Sequence, residues 1–134
     1  MLSFLYTNCP DTCPLTAAKF RTVRDALGER AKNVAFLAVS LDPAHDTPEA
    51  ARQFVAARGL TGDLRYLVGD RAALAPVWSR YGLFVEPQGQ IVAHTDAIYV
   101  IDRQGRQRAL LRSDFDVQLL ARDLRTLAAE GRVF

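Results

Sequence analysis

At 134 residues, with 49% apolar and 24% charged side chains, the chain has the size and composition of one globular domain with a single core. The net charge is +2 and the basic residues, fifteen Arg to two Lys, are dispersed, which argues against a nucleic-acid partner. No run approaches the roughly 18 consecutive apolar residues of a membrane span, and no signal peptide is visible.

The first apolar run, Leu2-Ser3-Phe4-Leu5-Tyr6, reads as a core strand, so the chain opens without a lead-in segment. It runs directly into Thr7-Asn8-Cys9-Pro10-Asp11-Thr12-Cys13-Pro14, which holds the only two cysteines. A helix is predicted from Pro14 to Gly28, with Pro at its start, Leu15, Ala18, Phe20, Val23 and Leu27 on its buried side, and Gly at its stop. Both thiols then lie at a strand-to-helix junction. Residues at i and i+4 share a helix face, so the two sulfurs can converge on one metal ion or join in a disulfide. The unpaired N–H groups and positive dipole end of the helix favour thiolate over thiol. Two intervening residues would read as a thioredoxin-like redox motif; three are compatible with chelation as well, and plain burial of two small hydrophobes is the competing reading.

Val34 to Leu41 is a continuous apolar run with little alternation, as expected of a central strand covered on both faces. Asp42-Pro43-Ala44-His45-Asp46 is a loop, and Thr47-Pro48-Glu49 opens a helix that runs to about Gly59, with Thr as cap and Pro at its first position. Leu64–Val68 is a short strand and the segment around Arg71–Tyr81 a helix. Ala97–Ile101 and Arg108–Leu111 flank Asp102-Arg103-Gln104-Gly105, a hairpin signal. A terminal helix starting at Ser113-Asp114 carries Val117, Leu120, Leu124 and Leu127 at helical spacing. The order βαβαβαββα implies an α/β fold over residues 1–134: a mixed sheet, its last two strands antiparallel, with helices on both faces.

There are two histidines. His45, in an acidic loop bounded by prolines, reads as a solvated turn residue. His94 precedes Thr95-Asp96 and the strand from Ala97, where it could face the loop after the first strand and meet the cysteines. Asp42 and Asp46 read as turn and capping residues, or as groups that orient the cysteine loop or a partner. Two thiolates and an imidazole would form a soft donor set that favours Cu(I), tolerates Cu(II) and also suits zinc.

Three blocks taken together resemble the Sco/SenC family. They are Cys9-Pro10-Asp11-Thr12-Cys13-Pro14 as CxxxCP, Asp42-Pro43-Ala44-His45-Asp46-Thr47-Pro48 as DPxxDTP, and His94-Thr95 leading into Ile98-Tyr99-Val100-Ile101-Asp102 as HxxxxYxID, in the family's order. The resemblance implies a thioredoxin-like fold, copper held by Cys9, Cys13 and His94, and delivery of copper to the dinuclear copper site of cytochrome c oxidase. It implies further a copper donor, a location in the periplasm or mitochondrial intermembrane space, and an inner-membrane anchor in a segment ahead of this chain's first strand. The oligomeric state is left open.

Two other readings use the same site. One is a thiol–disulfide oxidoreductase with Cys9 and Cys13 as its redox pair; the other is a redox or copper sensor. Against the first, a thioredoxin-like reductase commonly has a cis-proline before the strand facing its redox pair, whereas Thr95-Asp96 stands there and no proline follows Pro87. A peroxiredoxin-type peroxidase would want Thr three residues before its reactive cysteine, and Tyr6 and Pro10 occupy those places.

Overall fold

The computed structural model describes residues 1–8, 12–83, 85, 97–112 and 114–130, with the backbone alone at positions 12 and 13. The strands are β1 (Leu2–Leu5), β2 (Phe36–Ser40), β3 (Leu64–Leu67), β4 (Ile98–Ile101) and β5 (Gln107–Leu111). The helices are α1 (Thr12–Leu27), α2 (Pro48–Ala57), α3 (Arg71–Arg80) and α4 (Val117–Ala129), with a short 3₁₀ helix at Gly28–Asn33. The order matches the one read from the sequence; the 3₁₀ turn was not anticipated.

The strands form one mixed sheet in the order β3-β2-β1-β4-β5. β1 pairs in parallel with β2, and β2 with β3, while β1–β4 and β4–β5 are antiparallel. Side chains alternate between faces along each strand, so two cores result. Leu5, Phe36, Ala38, Leu64, Ile98 and Val100 join Phe20 and Val23 of α1, Phe54 and Val55 of α2, and Leu120 and Leu124 of α4. Their neighbours Leu2, Phe4, Val39 and Tyr99 face the other way and pack with Leu74 and Trp78 of α3. The unbroken apolar run of β2 is explained by this double coverage.

Two sequence-based details are corrected. The buried stripe of α1 is Thr16, Ala17, Phe20, Val23 and Leu27, whereas Leu15 is 60% exposed and Ala18 lies outside. At about 100° per residue Leu15 falls some 140° away from Phe20, so one helix face cannot bury both. The terminal helix starts later than Ser113-Asp114. Its N-cap is Asp116, whose side chain accepts from the Leu119 N–H, satisfying one of the donors that a helix start leaves free. The predicted cap of α2 is as expected, with Thr47 Oγ1 accepting from Ala50 N–H and Pro48 first in the helix.

Because β1 and β2 are parallel, the loops that leave them emerge at one edge of the sheet. β4 runs antiparallel to β1, with Ser3 opposite Ile98, so its entry lies at that same edge. Ser3 Oγ fixes the crossing by donating to the Ala97 carbonyl at 2.9 Å.

Candidate functional site

The site edge is organised around one buried carboxylate. Asp46, 3% exposed, ends the loop after β2. Its Oδ1 accepts from Thr7 N–H at 2.9 Å and from Thr7 Oγ1 at 2.6 Å, and its Oδ2 accepts from Ser40 Oγ at 2.7 Å and from Tyr66 hydroxyl at 3.1 Å. Four donors from the β1 exit, β2 and β3 thus converge on one side chain. A buried carboxylate is tolerable when its lone pairs are met in this way, and bonds to a charged acceptor are the strong ones. Thr7 stands two residues before Cys9, so Asp46 pins the stem of the cysteine loop.

A second layer holds Ser40 in turn. Its Oγ accepts from Asp42 N–H at 3.1 Å, and its carbonyl accepts from Trp78 Nε1 at 2.8 Å. The indole therefore links α3 to the end of β2. Asp42, also buried, accepts from the ring of His45 at 2.9 and 3.1 Å, one contact to each carboxylate oxygen. Every buried side-chain polar atom among the described residues has a partner.

Of the three residues predicted to hold a metal, Cys13 is placed at the second position of α1, in the first turn beside the free N–H groups and positive dipole end. Cys9 and His94 lie outside the described residues. Among the described residues no group of three or more His, Cys, Asp or Glu could hold a metal ion. No helix among them is long and apolar enough to cross a membrane.

Sequence reasoning allowed Asp42 and Asp46 a part in orienting the cysteine loop, and Asp46 bonds the residue that leads into it. Thr7, Ser40, Tyr66 and Trp78 were not singled out. Their bonds span 39, 6, 20 and 38 positions, and no local motif marks such pairs.

A mixed five-stranded sheet clothed by helices, with Cys13 in the first turn of the helix that follows a central strand, defines a protein of the thioredoxin-like class. The chain belongs to the SCO1/SenC family, whose model matches residues 1–129. It is 30% identical over 109 residues to Protein SenC of Rhodobacter capsulatus, covering 76% of this chain and 48% of that one. It is 29% identical over 113 residues to the mitochondrial SCO1 homolog of Homo sapiens, covering 78% and 37%. Among solved structures it resembles Bradyrhizobium japonicum ScoI with copper bound, at a TM-score of 0.81 and 30% identity, covering 94% of this chain and 82% of that one. The chain spans about half the length of the curated relatives it matches.

Proposed function

We propose that this domain carries copper on Cys9, Cys13 and His94 and hands it to the dinuclear copper centre of cytochrome c oxidase, working at the periplasmic face of the inner membrane. The observation that carries the reading is the shared sheet edge. The exit of β1, the first turn of α1 with Cys13, and the entry of β4 at Ile98, four residues after His94 in sequence, all open there. Family membership and the copper held by the B. japonicum relative support copper as the cargo. The chemistry agrees. Two thiolates and an imidazole suit Cu(I) and accept Cu(II), while a set of only three ligands leaves one position open to an incoming donor from a partner. The α1 N-terminus lowers the cost of the thiolate at Cys13.

Exchange with a partner's disulfide, which is reduced to two thiols as Cys9 and Cys13 are oxidised to theirs, would remove both thiolates and release the metal, so the pair can also gate loading. This same chemistry keeps a thiol–disulfide oxidoreductase as the second reading, and the position of Cys13 in the first turn of α1 favours it as much as it favours metal binding.

The imidazole separates the two. Under anaerobic titration of the reduced chain, His94→Ala is expected to weaken copper binding by at least tenfold and to leave disulfide exchange by the cysteines largely intact. Full copper affinity in that variant together with lost disulfide turnover would reverse the assignment. Alkylating both thiols is expected to abolish copper uptake, and unchanged stoichiometry after alkylation would remove the cysteines from the ligand set.

A further inference from the structure

His45 is held as a metal-binding histidine is held, although it belongs to none of the three ligand positions above. Its Nδ1 lies 2.9 and 3.1 Å from the two oxygens of Asp42. A carboxylate only accepts, so Nδ1 carries the proton and donates it, and the lone pair of the neutral ring is left on Nε2. Nε2 makes no hydrogen bond among the described residues, and the side chain is 63% exposed while that of Asp42 is 9% exposed. A buried carboxylate behind an outward-facing imidazole fixes ring orientation and raises donor strength, the role that an outer carboxylate plays behind a ligating histidine.

The backbone beneath the ring is fixed as well. His45 and Asp46 N–H groups both donate to the Asp42 carbonyl, at 3.2 and 2.8 Å, and Asp46 bonds Thr7. At most about 7 Å of extended chain separates Thr7 from Cys9. The imidazole is therefore presented on the edge that carries the cysteine loop. The same contact satisfies the buried carboxylate of Asp42, and the exposed Nε2 takes no part in it.

We propose that Nε2 of His45, oriented by Asp42, is an entry ligand: it takes a copper ion arriving at this edge and passes it by ligand exchange to the Cys9, Cys13 and His94 set. No electrons move; one copper–nitrogen bond breaks as copper–sulfur bonds form, and the imidazole is returned free. The proposal rests on the copper-carrier reading and adds a kinetic step to it.

Two measurements on the full chain test it. In a Cys9→Ser/Cys13→Ser background, copper(II) chloride is titrated while the histidine ring resonances are followed by NMR. His45 is expected to broaden at substoichiometric copper, and adding Asp42→Asn should raise the copper required by about tenfold. In the reduced chain under anaerobic conditions, loading from the acetonitrile complex of Cu(I) is followed by thiolate-to-copper absorption. His45→Gln, a surface change, is expected to slow loading severalfold and to reach the same end point. An unchanged loading rate in His45→Gln, or a titration indifferent to Asp42→Asn, overturns the proposal. Failure of the carrier reading would look different: the reduced chain would take up no copper through its thiols, while His45 would still broaden in the double-serine background.

Discussion

Asp46 joins three parts of the chain that lie 39, 6 and 20 positions from it, through Thr7, Ser40 and Tyr66. Truncating it leaves several buried donors without an acceptor, and each such group costs about 1–3 kcal/mol. Asp46→Ala should therefore destabilise the domain by roughly 3 kcal/mol, seen as a lower urea midpoint at unchanged slope. Thr7→Val removes one hydroxyl donor and keeps the backbone bond, so about 1 kcal/mol is expected. Were Asp46→Ala to fall within experimental error of the parent, the carboxylate would not be the clamp described. Trp78→Phe tests the next layer outward. It strips the Nε1 donor from the buried Ser40 carbonyl and should cost about 1–2 kcal/mol by the same measurement. None of this is visible in the sequence beyond the reading of Asp46 as a group that orients the cysteine loop or a partner. An aspartate before a Thr-Pro helix start reads first as a turn residue, and its partners come from strands that meet only in the folded sheet. His45 was read from its acidic, proline-bounded loop as a solvated residue; exposure was anticipated, and the bonds from Nδ1 to Asp42 were not.

Elements were legible where periodicity or punctuation was strong. The double-faced run of β2, the Thr-Pro start of α2 and the Asp-x-x-Gly turn between β4 and β5 each carry their own local signal. Boundaries failed where two candidates competed, as at α4, where both Asp114 and Asp116 could cap and the geometry of Leu119 N–H selects the second. The β4–β5 turn also yields a pH dependence. Burial acts to raise the Asp102 pKa, but the backbone and side chain of Arg106, then Arg108 and Gln104 N–H, outweigh it and hold the carboxyl at about 2, against an ordinary value of 3.8. A carboxyl whose folded pKa is depressed contributes stability that is present above its unfolded pKa and is lost as pH falls through the folded one. The thermal midpoint should therefore drop between about pH 4 and pH 2, and Asp102→Asn should flatten that drop. An identical pH profile in the variant would show that the turn does not depend on the ionised group.

The third helix carries Pro76 in its interior, yet the segment around Arg71–Tyr81 reads as a helix from the sequence, and one forms. A proline six positions into the helix forfeits the bond its N–H would make to Ala72 and presses its ring on that carbonyl. The helix survives because Leu74 and Trp78 are buried against β1, β2 and β4, and packing of this kind outweighs propensity. Pro76 itself is exposed, so Pro76→Ala restores the missing bond at little cost in packing. A gain of about 1 kcal/mol, or roughly 4 °C in Tm, is expected. A loss of stability would mean that the proline's restriction of the unfolded chain matters more than the absent bond.

At the scale of the whole molecule, the sheet order explains why a site built from distant segments can exist at all. β1 is central, held in parallel by β2 on one side and antiparallel by β4 on the other, with Leu2 opposite both Leu37 and Tyr99. That single strand brings the first and last thirds of the chain to one edge, an arrangement the sequence supported through element order but could not prove strand by strand. The unfolded chain has no such meeting point and offers only the local Cys9/Cys13 pair, so a metal held there binds the native state more tightly and stabilises it. On the carrier reading, copper at a hundredfold excess over its native-state Kd should add up to about 2.7 kcal/mol to the reduced chain, a rise of up to roughly 10 °C in Tm. Cys9→Ser/Cys13→Ser should lose most of that rise, since the thiolates supply most of the affinity. Reduced chain treated with copper and then oxidised to the disulfide should melt where the metal-free oxidised chain melts, because the released ion no longer favours either state. An equal rise in the double-serine variant would locate the stabilising copper elsewhere on the surface and would separate binding from the cysteine edge altogether.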